Sequence, residues 1–143
     1  MRLTGVYSFA APVARVWDVL MNPSVISTCL PGCQKFEELA EDEYRVVMNA
    51  TVAAIGGSFG GTVRIADKKP TQSYRLVFDG SGASGFAKGE SLMTLRETPD
   101  GVDVEVDATV AVGGLVAQVG QRLLGTAAKM MMDRFFKCVT SKV

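Results

Sequence analysis

Apolar and polar side chains alternate along most of this chain, and the alternation gives way to helical spacing near both ends. Leu3, Gly5, Tyr7 and Phe9 fall on one face of a first strand. Ala11-Pro12 stops it, and Pro12 suits the first position of a helix, where its missing N–H costs no hydrogen bond. Val13, Val16, Trp17 and Leu20 follow at i, i+3, i+4 and i+7, the spacing of a buried helical stripe. Asn22-Pro23 repeats the device as cap and first helical residue. It opens a short second helix carrying Val25, Ile26, Cys29 and Leu30, which Pro31-Gly32 ends.

From Gln34 onward the period is two. An acidic turn, Glu41-Asp42-Glu43, leads into Tyr44, Val46, Met48, Ala50 and Val52. Gly56-Gly57 is expected to turn the chain into Phe59, Gly61, Val63 and Ile65, and Asp67-Lys68-Lys69-Pro70 to turn it into Tyr74, Leu76 and Phe78. Beyond the glycines at 80, 82 and 85 come Ser91, Met93 and Leu95. Pro99-Asp100-Gly101 signals a hairpin into Val102, Val104, Val106, Ala108 and Val110. Asp103, Glu105 and Asp107 alternate with these valines and should face water, in exposed cross-strand pairs with Arg64, Arg75 and Arg96.

After Gly113-Gly114 a long helix is predicted from about Leu115 to beyond Phe135. At about 100° per residue, Val116, Val119, Leu123, Ala127, Met130 and Met131 cluster on one side. Gln118, Gln121, Arg122, Lys129 and Asp133 lie opposite, Met132 and Phe136 point toward that polar side, and Arg134 projects into the apolar stripe. Gly120 and Gly125 each cost such a helix about 1 kcal/mol, so close packing or room for something bulky is expected at one of them.

The predicted order is therefore strand, two short helices, about six antiparallel strands and one long amphipathic helix. It defines an α+β fold in a single domain spanning residues 1–143. A lone sheet must cover its apolar face, and only the terminal helix is large enough. A strongly curved sheet wrapped on one helix leaves space between them, closed at one end by the short helices.

Composition narrows the chemistry. Fifteen basic and fifteen acidic residues balance to zero formal charge, which argues against nucleic-acid binding through clustered Lys and Arg. The absence of histidine removes Ser-His-Asp and Cys-His nucleophiles and every His-ligated metal centre. Cys29, Cys33 and Cys138 read as reduced thiols of a cytoplasmic protein, with Cys29 and Cys33 flanking a turn; three thiols without histidine do not complete a zinc site, so no metal is expected. The first residues enter a strand directly, so no signal peptide is expected, and every apolar run is interrupted before the ~20 residues a membrane span needs. The glycine run from Gly56 to Gly61 lacks the Lys-Ser/Thr and the helix of a phosphate loop. The acidic residues Glu37, Glu38, Glu41, Asp42 and Glu43 crowd one hairpin, most simply a solvated tip.

These residues resemble the START-like (SRPBCC) superfamily and its helix-grip fold, a curved antiparallel sheet around a long C-terminal helix with two short helices after the first strand. Ala11-Pro12, Val16-Trp17, Leu20 and Asn22-Pro23 match its opening signature. More narrowly, the chain is similar to the G-subunit family of carbon monoxide dehydrogenase. The matching pieces are Cys29-Leu30-Pro31-Gly32-Cys33, Gly57-x-Phe59-x-Gly61, the Gly80/Gly82/Gly85 run, Gly113-Gly114-Leu115 and Gly120-Gln121-Arg122. The resemblance implies a noncatalytic accessory protein of a molybdenum hydroxylase-type dehydrogenase at the inner face of the cytoplasmic membrane. It also implies a pocket for a hydrophobic molecule, a quinone or lipid, and no bound cofactor.

The expected wall is Met48, Phe59, Val63, Leu76, Phe78, Met93, Val106, Leu123, Ala127, Met130 and Met131, with Cys29, Leu30, Pro31 and Arg134 at the mouth. Trp17 is expected to brace the first helix rather than touch ligand. Met132 and Phe136, if exposed, would suit a partner, a membrane or the second copy in a homodimer. Two other readings use the same fold: a cyclase or dehydratase with Asp, Glu, Tyr or Lys inside the cavity, and an interaction module with a solid core. No paired carboxylates fall on the inward faces.

Overall fold

Period-two alternation carries the chain through seven strands, and a computed structural model describing residues 1–143 places them in one sheet. In chain order the elements are β1 (Arg2–Phe9), α1 (Val13–Met21), α2 (Pro23–Cys29), β2 (Cys33–Ala40), β3 (Glu43–Val52), β4 (Ile55–Lys69), β5 (Ser73–Gly82), β6 (Gly85–Thr98) and β7 (Gly101–Gly113). A short 3-10 helix (Leu115–Val119) and α3 (Gln121–Thr140) complete the chain. Every neighbouring pair is antiparallel, in the order β1-β7-β6-β5-β4-β3-β2. The sheet is open, with β1 and β2 at its edges.

The inward alternation follows the sequence. Val102, Val104, Val106 and Ala108 are buried while Asp103, Glu105 and Asp107 stand on the other face. There Arg96 pairs with Glu105 at 2.8 Å, Arg2 with Asp107 at 3.0 Å, and the Ser8 hydroxyl donates to Asp103 at 2.7 Å. Arg75 pairs with Glu90 and Asp67. Asn22 caps α2 as expected, its side chain accepting from the Ser24 N–H at 3.0 Å. Pro12 sits one position earlier than expected: it precedes α1, and its carbonyl accepts from Arg15 and Val16.

Two turns differ from the sequence reading. The β3–β4 hairpin turns at Ala53-Ala54, both with left-handed φ (50° and 67°), between the paired Val52 and Ile55. This is the two-residue geometry usually taken by Asn-Gly. Gly56 lies within β4, where a Cβ would run into the Ala50 carbonyl oxygen. The turn after β4 falls at Pro70–Gln72, beyond a register shift between Ala66 and Lys69.

The terminal helix is also corrected. It is not continuous from Leu115: the 3-10 helix ends at Gly120, whose φ of 93° and ψ of 154° are non-helical, and α3 starts afresh at Gln121. A 3-10 helix turns about 120° per residue rather than 100°, and the break resets the direction, so the buried stripe rotates by roughly one residue. Phe136 and Val139 are buried, and Met132 and Phe135 pack against the core, whereas Leu123 and Met130 are about half exposed (47% and 50%). The expectation that Met132 and Phe136 face the polar side is therefore wrong, and Arg134 is exposed rather than within the stripe.

Cys29 and Cys138 are joined in a disulfide, with Cα atoms 5.3 Å apart, and Cys33 is the free thiol. The reading of three reduced thiols is overturned because the partner of Cys29 lies 109 residues away, brought to it by α2–α3 packing that no local spacing reveals. Burial pushes the Cys33 thiol pKa up.

Two predictions follow from this packing. Phe136→Ala should cost about 3–5 kcal/mol in urea titrations and Leu123→Ala under about 0.5 kcal/mol; equal losses would contradict the helix phase. Closure of a loop this long should contribute about 3–5 kcal/mol, so Cys138→Ser should lower stability by that amount. Thiol titration of unfolded, unreduced protein should find one free thiol, and three after reduction.

Candidate functional site

The concave face of the sheet has a sealed half and an open half. Cross-strand register sets its side chains in rows. Toward α1 and α2 the rows are filled by buried Tyr74, Met93 and Val106, then Leu95 and Val104, with Ile65 and Phe9 beside them. Trp17 closes this half by meeting Tyr74 edge-on, ring centroids 5.6 Å apart, the bracing role expected of it.

Toward the other end the residues are apolar and mostly half-buried, in the rows Tyr44–Val63–Phe78–Gly89–Val110 and Val46–Gly61–Gly80–Ala87–Val112, of which only Tyr44 and Val46, both on β3, are buried. Two glycines in that second row act differently. A Cβ on Gly61 would collide with the Asp79 carbonyl, so the strands approach closely there. A Cβ on Gly80 would meet only the Gly60 carbonyl oxygen, at 3.9 Å, and otherwise open space.

Helix α3 spans this face rather than lying along its floor. It packs chiefly against β1, β3 and α2, with sparser contact to the central strands β4–β6. Its C-terminal half is fixed by the disulfide, by Phe136 stacked on Tyr7 at 4.1 Å, and by a hydrogen bond from the Arg15 guanidinium to the Lys142 carbonyl at 3.0 Å.

The expected wall residues divide accordingly. Met48, Phe59, Val63, Leu76 and Phe78 are half-buried on the concave face, and Ala127 and Met131 are half-buried on α3. Met93 and Val106 belong to the sealed core, and Leu123 and Met130 lie on the outer flank of the helix. Cys29 is buried in the disulfide, Leu30 and Pro31 are half-buried beside it, and Arg134 is exposed, one turn before Cys138 on α3.

An apolar crevice of about 300 Å³ that the sequence reading missed lies where β7 ends and α3 begins, lined by Met1, Val110, Ala111, Val112, Ala117, Gln121 and Leu124. The signal for it was present in the alternation continuing through Val110 to Val112. Leu124 was missed by the one-residue error in helix phase. A shallower dent of about 540 Å³ lies at the sealed end, between Ala10–Ala14 and Glu97–Gly101, and is open to solvent.

One ionisable cluster joins α3 to the sheet. The Tyr7 hydroxyl donates to Asp133 at 2.7 Å and accepts from the Lys129 ammonium at 3.1 Å, and Lys129 pairs with Asp133 at 3.2 Å. Burial raises the Tyr7 pKa, the hydrogen bond to Tyr7 raises that of Lys129, and hydrogen bonds from Tyr7 and Lys129 lower that of Asp133. Each group is thereby held in its ordinary protonation state at neutral pH. The cluster fastens the helix to β1 and supplies no poised base. No group of three or more metal-ligating side chains occurs, and no helix is long and apolar enough to cross a membrane.

A seven-stranded antiparallel sheet curved around one terminal helix, with two short helices after the first strand, is the helix-grip fold of the START-like proteins. A conserved protein from Geobacillus kaustophilus has the same structure (TM-score 0.94, 32% identity, covering 99% of this chain and 94% of that one). More distant likenesses that show the fold alone include protein Ms6760 from Mycobacterium smegmatis (TM-score 0.72, 17% identity, 98% and 88% covered). Another is the Zhui aromatase/cyclase from Streptomyces sp. R1128 (TM-score 0.66, 13% identity, 99% and 92% covered). No protein of curated function matches the chain in sequence. Within this class the chain belongs to the carbon monoxide dehydrogenase G-subunit (CoxG) family, whose sequence profile matches residues 5–143.

Burial raises the Tyr74 pKa well above its usual value of 10. A raised folded-state pKa means stability is intact below about pH 10 and is lost as pH climbs from there toward the folded value, because only the unfolded chain releases the proton. Denaturant midpoints between about pH 9 and pH 11 should therefore fall less steeply in Tyr74→Phe than in wild type. Parallel slopes would show that Tyr74 does not govern the alkaline limb.

Proposed function

We propose that this chain is a noncatalytic accessory protein of a molybdenum-type carbon monoxide dehydrogenase, and that it carries an apolar molecule, a quinone or lipid, in the groove between α3 and the open half of the sheet. The observation that carries the reading is the bridging helix. Half-buried Met48, Phe59, Val63, Leu76 and Phe78 lie on the face that α3 spans, together with the empty position at Gly80 and the crevice at Val110, Val112 and Leu124. Membership of the CoxG family is what supports an enzyme partner of this kind.

Affinity comes from removing apolar area from water, at roughly 25 cal/mol per Å² before the costs of binding. The protein works at a membrane surface, resting there through Leu123 and Met130, one heptad apart on the outer flank of α3. Loading and unloading exchange the ligand between this groove and its partners without chemical change.

Gly80→Leu tests the groove, because the new side chain extends into space the fold leaves free. Wild type should bind a naphthoquinone with a dodecyl chain in equilibrium dialysis. The variant should lose at least roughly ten-fold in affinity while its thermal midpoint shifts by no more than a few degrees. Unchanged binding by a folded Gly80→Leu would remove the groove reading.

A further inference from the structure

Two polar side chains are sealed inside this fold, and they differ in what they bond. Ser84 is 7% exposed, and its hydroxyl donates to the Gly56 carbonyl at 3.2 Å while its own carbonyl accepts from Val116 at 2.7 Å. These bonds tie together the β5–β6 turn, the start of β4 and the 3-10 helix. Ser91 is 5% exposed, and its hydroxyl is directed at the Met93 thioether, 3.6 Å away. A thioether is a weak acceptor, so the Ser91 proton is desolvated without a good partner.

The position of Ser91 gives that deficit a use. It stands in the row Ile65–Leu76–Ser91–Ala108–Leu3, at the step between the two halves of the concave face. On one side the next row is the sealed core of Tyr74, Met93 and Val106; on the other it is half-buried Val63, Phe78 and Val110. Toward the groove its neighbour on the same face is Gly89, which carries no side chain, and across the strands it faces Leu76 on one side and Ala108 on the other.

We infer that Ser91 is a specificity-determining residue at the inner end of the groove, donating a hydrogen bond to an acceptor oxygen of the bound molecule. The inference rests on the groove reading and narrows it. The molecule is neutral and largely apolar, with a carbonyl-type oxygen on the end that enters deepest. A carboxylate is excluded from that end, because no cationic side chain is buried on the face to meet it and an unpaired charge there would stay desolvated. Tyr74, diagonal to Ser91 across the β5–β6 pair and held protonated by burial, places a second hydroxyl in the sealed half.

Two probes separate the contributions: dodecylnaphthoquinone, and dodecylnaphthalene, which has the same rings and chain without the oxygens. Comparing the ratio of their affinities in wild type and variant cancels the difference in their hydration. Ser91→Ala should shift that ratio toward the hydrocarbon by roughly three- to ten-fold while leaving hydrocarbon affinity unchanged or improved. Ser91→Cys, which retains volume with a weaker donor, should fall between and guards against a folding defect in the alanine variant. If the ratio is unchanged in both Ser91 variants, or shifts only in Tyr74→Phe, the assignment to Ser91 is overturned while the groove stands. If wild type binds neither probe, the groove reading fails and this one with it.

Discussion

Covering a wide curved sheet with one rod is the constraint from which the rest of this structure follows. Six interstrand spacings of about 4.8 Å, and strands of about ten residues rising about 3.3 Å each, give a concave face of roughly 950 Å². A helix of 20 residues is about 30 Å long and shields a strip about 10 Å wide, a third of that area. The chain closes one end with α1, α2 and the C-terminal half of α3, concentrating Trp17, Phe9, Tyr74, Val104 and Phe136 there. What is left over is an apolar half-face that no element seals.

Charge and covalent chemistry are distributed to suit that division. The convex face carries the ion pairs of Arg2, Arg75 and Arg96 with acidic partners, each exposed and individually weak. The concave face holds no buried charge, and its fastening to α3 through Tyr7, Lys129 and Asp133 sits at the β1 edge, where all three side chains reach water. The disulfide joins α2 to α3 at the sealed end. The helix is thus held firmly where the core is dense and more lightly where the groove opens.

Much of this architecture was legible in the sequence because it is written in local periods. Val102 to Val110 against Asp103, Glu105 and Asp107 could only be a half-buried strand, and Val16, Trp17 and Leu20 only one face of a helix. The same alternation placed Met48, Phe59, Val63, Leu76 and Phe78 on the concave face. What escaped depends on geometry that periods do not carry. Gly120 interrupts the terminal helix, and extrapolating its phase across that break exchanged Leu123 for Leu124 and put Phe136 on the wrong side. Ala53-Ala54 adopts a turn that side-chain preference assigns to glycine, because strand pairing on both sides fixes its length. The Cys29–Cys138 bond joins residues that meet only once the whole sheet is built.

That bond also changes how the molecule would respond to tension. It encloses residues 29 to 138 in a covalent ring, leaving 28 residues before it and five after it outside. A force applied at the two termini passes through the sulfur atoms and bypasses β2 through β7. An oxidised chain pulled from its ends can lengthen only by stripping β1, α1, α2 and the last residues, to roughly 110–120 Å of extended polypeptide. A reduced chain can unravel to about 500 Å. Tugging, unlike heat, therefore leaves the greater part of the sheet in place for as long as the two sulfurs stay joined.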